Sequence, residues 1–148
     1  MNYPNIIRAV KWLIRNQEKN GSWFGRWGIS YIYGTWAALT GLKAVGLSSN
    51  HPTIKKAAKW LLEIQNDDGG WRESCKSDIV KQYVPLNAST PSQTAWALDA
   101  LITVYDKPTP AIDQGLQRLI DFGSENDWRS SYPTGAGLAD VFYTNYHS

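Results

Sequence analysis

Cysteine and histidine are scarce in this sequence of 148 residues, and their scarcity argues against several kinds of site. The single cysteine, Cys75, cannot form an internal disulfide, so nothing indicates an oxidising compartment. A zinc site needs about four ligands at suitable spacing, whereas Cys75, His51 and His147 are scattered along the chain. A dyad of Cys75 and His147 is conceivable, but no motif supports it. No glycine-rich turn of the phosphate-binding type is present either, and we therefore expect no metal and no cofactor.

Long apolar runs and an excess of one charge are missing as well. The net charge is only +2, from 15 basic and 13 acidic residues, without the basic run typical of nucleic-acid binding. No apolar run approaches the roughly 18–20 residues of a membrane span. The N-terminal stretch MNYPNIIRAVKW is interrupted by charges and lacks a signal-peptide pattern. We therefore expect a cytoplasmic protein, soluble or peripheral to a membrane, without a nucleic-acid partner.

Tryptophan is abundant instead, with eight residues, and several of them fall in a repeat. The segment Ala9–Trp23 (AVKWLIRNQEKNGSW) aligns without gaps on Ala57–Trp71 (AAKWLLEIQNDDGGW), so the offset is 48 throughout. A weaker third copy, Gly115–Trp128, has Phe122 in place of the glutamine and Asn126 in place of the first glycine. A period of this length is typical of helical-repeat proteins. The offset pairs Trp12 with Trp60, Gln17 with Gln65, Gly21 with Gly69, and Trp23 with Trp71.

Each repeat has two halves of different character. The first half carries apolar residues at helical spacing, such as Ile6, Val10 and Leu13, with basic residues on the other face. The second half is nearly free of charge: Lys43 is the only charge in 35–45, and Asp99 the only one in 91–104. A helix that is apolar almost all round is buried on most sides. The pattern therefore predicts hairpins of one outer and one inner helix, with five long helices and a sixth beginning near Leu138.

Two features refine this prediction. Thr90, Pro91 and Gln93 have the spacing of an N-cap, a first-turn proline and a capping-box residue, and Thr109 with Pro110 marks another helix start. The spacing of Trp36 from Trp23 and of Trp96 from Trp71 differs by 12 residues, and we interpret the polar stretch SCKSDIVKQYVPLN as a loop insertion.

The repeated glutamine and tryptophan residues suggest a structural clamp. The glutamine lies at the end of an outer helix, glycine permits the turn that follows, and the tryptophan falls beside the start of the next helix. A glutamine amide can bond the free backbone groups of helix ends while it packs on the indole. We favour this structural role over a catalytic one for Gln17, Trp23, Gln65 and Trp71.

Several of these stretches together resemble the squalene–hopene cyclases and related bacterial enzymes that cyclise linear terpenes such as tetraprenyl-curcumene. The stretches are QEKNGSW with GRWGISYIYGT, then QNDDGGW, ASTPSQTAWALDAL and YPTGAGLADVFYTNYHS. The clamp motif alone is shared with other terpene cyclases and loosely with prenyltransferase β subunits, but the combination is much more specific. The resemblance covers nearly the whole chain in collinear order. It implies an all-α fold, a partial (α/α) toroid of outer and inner helices, which agrees with the pattern above.

The resemblance also implies a mechanism and a set of site residues. A carboxylic acid protonates a terminal alkene of a squalene-like polyprenyl substrate, and rings close through carbocations that aromatic faces stabilise. Trp27, Tyr33, Phe142 and Tyr146 match aromatic positions that line the family's cavity; the alternative is that they are ordinary core aromatics. Leu138 stands where squalene–hopene cyclases usually carry a phenylalanine.

The acid itself is missing from this sequence. In the family it belongs to an Asp-x-Asp-Asp motif, which Asp67-Asp68 fails to match because Gln65 precedes them, so we expect no catalytic residue here. Residues 1–148 are interpreted as one fragment of a toroid domain, with repeat units at about 5–46, 53–105 and 110–148. We expect part of a terpene cyclase that is inactive without the missing cyclase half. The alternative is a non-catalytic helical-repeat module that binds an apolar ligand or a partner chain. The resemblance is also compatible with peripheral contact to a membrane.

Overall fold

A computed structural model describes residues 3–125, 132–138 and 142–144. Five long helices alternate along the chain, as predicted, and a short helix and a small β-hairpin are added to them. The helices are α1 (Pro4–Arg15), α2 (Ser30–Ala44), α3 (Pro52–Glu63), α4 (Lys76–Val80), α5 (Pro91–Val104) and α6 (Pro110–Ser124), and the strands are β1 (Gly135–Leu138) and β2 (Phe142–Thr144). Within the described residues, no helix is both long and apolar enough to cross a membrane.

The two nearly uncharged helices form the centre of the fold. Helices α2 and α5 pack against each other, α3 packs against both, and α6 packs against α5. Leu39, Leu98 and Leu101 are buried, as the charge asymmetry predicted. Trp36 and Trp96 are only half-buried; their rings stack with centroids 5.9 Å apart. Burial of apolar side chains against neighbouring helices is what stabilises these helices. The arrangement of outer and inner helices is that of an α/α-toroid fragment.

The predicted helix starts are correct, but one predicted cap is not. Thr109 caps α6, because its side chain accepts a hydrogen bond from the backbone N–H of Ile112. Thr90 precedes α5 without capping it. Gln93 does not form the predicted capping box: its amide nitrogen donates to the carbonyl of Ile29, and its oxygen accepts from the backbone N–H of Glu73. The buried amide connects two other segments because both offer backbone groups that need partners.

The inserted stretch between Trp71 and α5 is not purely a loop. It contains the five-residue helix α4, and the backbone N–H of Ser74 donates to the carbonyl of Val84. Its length also differs from the prediction. The backbone N–H of Trp23 bonds the hydroxyl of Thr35, 12 residues later, and that of Trp71 bonds the hydroxyl of Thr94, 23 residues later. These equivalent bonds make the insertion 11 residues long rather than 12.

The sixth helix predicted near Leu138 is wrong for the residues that the structure describes. Residues 135–138 form β1, which pairs antiparallel with β2, and Gly135 also forms a bridge with Gly28. Gly135 and Gly137 have low helix propensity, and aromatic residues such as Phe142 and Tyr143 suit a strand. The repeat unit at 110–148 stays a prediction, since its described part holds one helix and one hairpin.

Candidate functional site

The loop between Trp23 and α2 carries the first two aromatic residues predicted to line a cavity. Trp27 lies in this loop with 58% of its surface exposed, and its carbonyl accepts a hydrogen bond from the backbone N–H of Ala136 at 2.8 Å. Tyr33 lies in the first turn of α2 and is half-buried. Its ring meets the ring of Trp96 edge-on at 5.2 Å and that of Trp36 at 5.6 Å. Tyr33 is thereby part of an aromatic cluster that spans both inner helices.

Two glycines allow the loop to fold closely over Tyr33. A Cβ atom on Gly28 would lie less than 3.0 Å from the Cβ and Cγ atoms of Tyr33, and one on Gly25 would lie 2.6 Å from its ring. Real Cβ atoms essentially never show such contacts, so a larger residue would have to displace the ring or the loop. The glycines therefore fix the distance between the backbone near Trp27 and the ring of Tyr33.

We expect Gly28→Ala to lower the free energy of unfolding by about 1–3 kcal/mol, because the added methyl group overpacks the site. Gly41→Ala is the matched control, since a Cβ atom there meets nothing within 4 Å. In the helix interior, that change should raise the free energy of unfolding by up to about 1 kcal/mol. Urea melts of both variants check the prediction. Equal effects of the two substitutions would contradict it.

The C-terminal hairpin lies against the same loop. The backbone N–H of Ile29 donates to the carbonyl of Thr134, and Gly28 forms its bridge with Gly135. Phe142 is in β2, where its backbone pairs with Leu138. Tyr146 lies outside the described residues. The backbone that carries Phe142 is thus joined to the loop that carries Trp27. A cavity-lining role for Trp27, Tyr33, Phe142 and Tyr146 stays a prediction.

The two clamps have the same hydrogen bonds. The amide of Gln17 donates to the carbonyls of Gly21 and Thr53, each at 2.9 Å. The amide of Gln65 donates to the carbonyls of Gly69 at 2.7 Å and Ala111 at 2.9 Å. In both clamps the second acceptor is in the first turn of the next outer helix. The structural role of the glutamines stays a prediction, which these bonds support.

The tryptophans of the clamps also make equivalent bonds. The indole N–H of Trp23 donates to the carbonyl of Leu13, and that of Trp71 donates to the carbonyl of Leu61, both at 2.8 Å. Each acceptor is in the outer helix that precedes the clamp turn, where the last carbonyls have no partner within the helix. The side chain therefore links the end of an outer helix to the turn that leaves it.

A buried carboxylate immediately before the insertion has no counterpart in the sequence-based prediction. Glu73 is fully buried, and its carboxylate oxygens accept hydrogen bonds from the backbone N–H groups of Ser30, Tyr31 and Ile32 at 2.9–3.0 Å. These groups open α2, and the N-cap residue Ile29 supplies no side-chain bond. Burial raises the pKa of the Glu73 carboxyl, although the bonds from the helix start act in the opposite direction. Glu73 thus fixes the start of the helix that carries Tyr33.

Further bonds join the insertion to the C-terminal hairpin and to Tyr132, which precedes the hairpin. The hydroxyl of Tyr132 lies 3.1 Å from that of Ser74 and accepts from the backbone N–H of Cys75 at 3.2 Å. The hydroxyl of Tyr143 donates to the buried carboxylate of Asp78 at 3.1 Å. No pattern in the sequence could have shown these pairs, because the partners are about 60 residues apart and fall outside the repeat.

Other chemistries find little support in the described residues. Burial raises the pKa of the Cys75 thiol, which disfavours the reactive thiolate. His147, its hypothetical partner, lies outside the described residues. No group of three or more His, Cys, Asp or Glu side chains in the described part of the chain could hold a metal ion. Asp68 lies at the surface, where its carboxylate accepts a hydrogen bond from the backbone N–H of Ser89 and lies 3.6 Å from the guanidinium of Arg118.

Comparisons with known proteins agree with the resemblance. The whole chain, residues 1–148, matches the family described as squalene-hopene cyclase C-terminal domain. Sporulenol synthase of Bacillus subtilis is 60% identical over 146 residues, which are 99% of this chain and 23% of the relative. Squalene–hopene cyclase of Alicyclobacillus acidocaldarius is 54% identical over 142 residues, 95% of this chain and 22% of the relative. The chain therefore spans less than a quarter of the length of these relatives.

A solved structure also resembles this fold. The ent-copalyl diphosphate synthase from Streptomyces platensis matches with a TM-score of 0.62 at 25% sequence identity. The match covers 85% of this chain and 22% of that one. The helical arrangement is thus similar to part of a much longer protein.

Proposed function

The chain belongs to the squalene-hopene cyclase C-terminal domain family, and from that membership we propose that it forms part of the wall of a cavity in which a linear polyprenyl substrate such as squalene is cyclised. The observation that carries this proposal is the joining of three segments around one loop. Trp27 lies in the loop, Tyr33 lies beneath it, and the strand that contains Phe142 pairs with β1, which bonds the loop backbone.

The wall acts on the cations that arise during ring closure. The face of an aromatic ring attracts a positive charge, by up to about 2 kcal/mol when the pair is desolvated. Trp27 offers an exposed indole on the surface of this chain, and the neighbouring rings of Tyr33 and Trp96 offer further π-systems. Rings fixed before the reaction stabilise developing charge without reorganisation. Exclusion of water from such a cavity protects the cation from early capture.

The acid that starts the reaction comes from another segment of the enzyme in this proposal. The sequence contains no Asp-x-Asp-Asp motif. Glu73 is buried, and its carboxylate is held by three backbone N–H groups at the start of α2. Asp99 is exposed and accepts a hydrogen bond from the indole of Trp36 at 2.6 Å. Neither carboxyl group is placed as a proton donor to an alkene.

A chimera tests the proposal. In squalene–hopene cyclase of Alicyclobacillus acidocaldarius, the segment that matches this chain is replaced by residues 1–148. We expect the chimera to convert squalene to cyclic product in gas chromatography of lipid extracts. Trp27→Ala should lower the rate by roughly 10–30-fold, which corresponds to about 1.5–2 kcal/mol. Trp27→Phe, which keeps an aromatic face, should retain most of the rate.

Two results would contradict the proposal. One is a Trp27→Ala chimera that cyclises squalene as fast as the unsubstituted chimera. The other is cyclic product from a polypeptide of the 148 residues alone, because the acid would then lie within this chain.

A further inference from the structure

Two polar side chains, those of Glu73 and Gln93, hold the backbone that leads into α2, and both are fully buried. The carboxylate of Glu73 accepts hydrogen bonds from the backbone N–H groups of residues 30–32 at 2.9–3.0 Å. The amide nitrogen of Gln93 donates to the carbonyl of Ile29 at 3.1 Å, and its oxygen accepts from the backbone N–H of Glu73 at 2.9 Å. We refer to Glu73 and Gln93 as the buried pair.

The repeat shows that the buried pair is not needed to form a clamp. Both units share the bond from the backbone N–H of the clamp tryptophan to a threonine hydroxyl in the next inner helix. Counted from that bond, Gly25 and Gly34 of the first unit take the places of Glu73 and Gln93. There the backbones meet directly, because a Cβ atom on Gly34 would lie 2.6 Å from the backbone nitrogen of Gly25. A clamp therefore forms without these polar side chains, and the second unit has them for another reason.

The buried pair extends from the second unit to the segment that separates two residues of the proposed cavity wall. Trp27 lies two residues before Ile29, and Tyr33 follows residue 32 directly. The backbone of Ile29 is bonded on both sides: its N–H donates to the carbonyl of Thr134, and its carbonyl accepts from Gln93. A shift of this segment would therefore move both aromatic residues and the start of the C-terminal hairpin together.

The bonds of the buried pair form a rigid support. The oxygen of Gln93 also accepts from the hydroxyl of Thr90 at 3.2 Å, so both ends of the amide are bonded. Breaking either bond would leave a buried polar group unpaired, which disfavours any other position of the segment. Groups that stabilise a transition state have to be held within about 0.5 Å of their productive position, and buried hydrogen-bonded neighbours provide that support.

We infer that the buried pair positions the aromatic wall and thereby controls how far cyclisation proceeds. Glu73 and Gln93 are positioning residues, which act through Trp27 and Tyr33 and do not touch the substrate. The inference rests on the proposed function, because it assigns the support of that same wall.

Two reactions of the carbocation compete at each stage. Either the next double bond attacks the cation and closes a further ring, or a neighbouring C–H bond loses its proton to water. In the second case the electrons of that bond form an alkene, and cyclisation stops with fewer rings. A ring face fixed beside the cation favours closure, since it stabilises the charge and keeps water away. Displacement of the wall should therefore change the ratio of products, and not only the rate.

Gln93→Leu in the chimera described above tests this positioning. Leucine is apolar, so the carbonyl of Ile29 and the backbone N–H of Glu73 lose their partner. We expect the ratio of products with fewer rings to the main product, measured by gas chromatography after incubation with squalene, to rise about threefold. That rise corresponds to about 0.6 kcal/mol between the two barriers, a fraction of what removal of the Trp27 ring costs.

Gln65→Leu is the matched control. It also removes two hydrogen bonds of a glutamine amide, but at the clamp that joins α3 and α6. A smaller amount of folded enzyme lowers all products alike, so the ratio should stay unchanged in this variant even where the total yield falls.

Substitutions of Glu73 provide a second comparison. Glu73→Ala removes the acceptor at the start of α2 and should raise the ratio in the same direction as Gln93→Leu. Glu73→Gln keeps an oxygen for these N–H groups and should restore most of the ratio of the unsubstituted chimera.

Fluorine NMR of the chimera labelled with fluorotryptophan measures the position of Trp27 without catalysis. The loss of one resonance in Trp27→Phe assigns the signal. We expect this resonance to shift or split in Gln93→Leu and to stay in place in Gln65→Leu. A chimera that shows the shift without cyclising squalene supports the positioning role and contradicts only the proposed function.

Four results would overturn the inference. They are an unchanged product ratio in an active Gln93→Leu chimera, an equal change of the ratio in Gln65→Leu, and a Trp27 resonance that Gln93→Leu does not move. The fourth is the loss of a cooperative melt in both Gln93→Leu and Glu73→Ala, because the buried pair would then serve folding alone.

Discussion

Trp71→Ala is expected to lower the free energy of unfolding of this chain by about 3–5 kcal/mol. The indole is fully buried, and its N–H donates to the carbonyl of Leu61 at the end of α3. Helix α6 approaches the ring so closely that a Cβ atom on Gly115 would lie 2.7 Å from it. Removal of the ring would leave a cavity between α3, α5 and α6 and an unpaired carbonyl at a helix end.

Trp12→Ala is the control for this prediction, because Trp12 lies on an outer helix with 61% of its surface exposed. The same side chain is removed here, but from a position where it buries little apolar surface. We therefore expect the free energy of unfolding to change by less than about 1 kcal/mol. Urea or guanidinium melts of both variants measure the difference. Similar losses at the two positions would contradict a dominant role of the second clamp.

The alternation of outer and inner helices could be predicted from the sequence because it depends on a local property. A helix buried on most sides cannot carry solvated charges, so the scarcity of charge between 35 and 45 and between 91 and 104 marks the inner helices directly. Proline in the first turn likewise marks helix starts by itself, since it lacks the N–H group that is unsatisfied there. Such signals need no knowledge of the rest of the chain.

The clamp bonds were only partly predictable. The repeated glutamine indicated that an amide meets helix ends, but the second acceptor of each amide lies 36 or 46 residues away in the next outer helix. The sequence also could not show that Gln93, with the spacing of a capping-box residue, would bond Ile29 and Glu73 instead. Local capping and a distant backbone group compete for the same amide, and the packing of the whole fold decides between them.

The C-terminal hairpin was mispredicted for a related reason. The segment 135–138 is short, glycine-rich and without clear periodicity, and its backbone pairs both with β2 and with the loop at 27–29. The contact with the loop joins residues more than 100 positions apart, so a reading by helical period could not show it. The candidate cavity wall includes this contact between the loop and the hairpin. The residue types of the wall could therefore be recognised from the sequence, but the arrangement of the segments that carry them could not.

Glu73→Ala should lower the free energy of unfolding on the order of 3–5 kcal/mol, because three backbone N–H groups at the start of α2 would lose a buried acceptor. The N–H groups of Ser30, Tyr31 and Ile32 have no partner within the helix, and the side chain of Ile29 provides no cap. Glu63→Ala is the matched control. Glu63 is exposed and lies 3.4 Å from the exposed ammonium of Lys59, so its removal should cost no more than about 0.5 kcal/mol.

The pH dependence of stability distinguishes the ionisation of Glu73 from its hydrogen bonding. Burial raises the pKa of Glu73 above its ordinary value of 4.5, so the folded state binds this proton more tightly than the unfolded chain. Stability should therefore fall as the pH rises from about 4.5 through the raised pKa of the folded state. Asp68 affects stability in a different pH range. Hydrogen bonds from Ser89 and Gly70 lower its pKa below 3.8 despite partial burial. The stability that ionised Asp68 contributes is therefore lost only as the pH falls below 3.8.

Glu73→Gln isolates the first of these effects, because the amide keeps an oxygen acceptor for the start of α2 but cannot ionise. Its loss of stability at pH 4.5 should be smaller than that of Glu73→Ala, and the fall in stability above pH 4.5 should be absent from it. Urea melts of the unsubstituted chain and of both variants between pH 4.5 and 8 provide the measurement. If stability falls equally with pH in the unsubstituted chain and in Glu73→Gln, another group is responsible for the titration. If Glu73→Ala is as stable as Glu63→Ala, the start of α2 does not need this carboxylate.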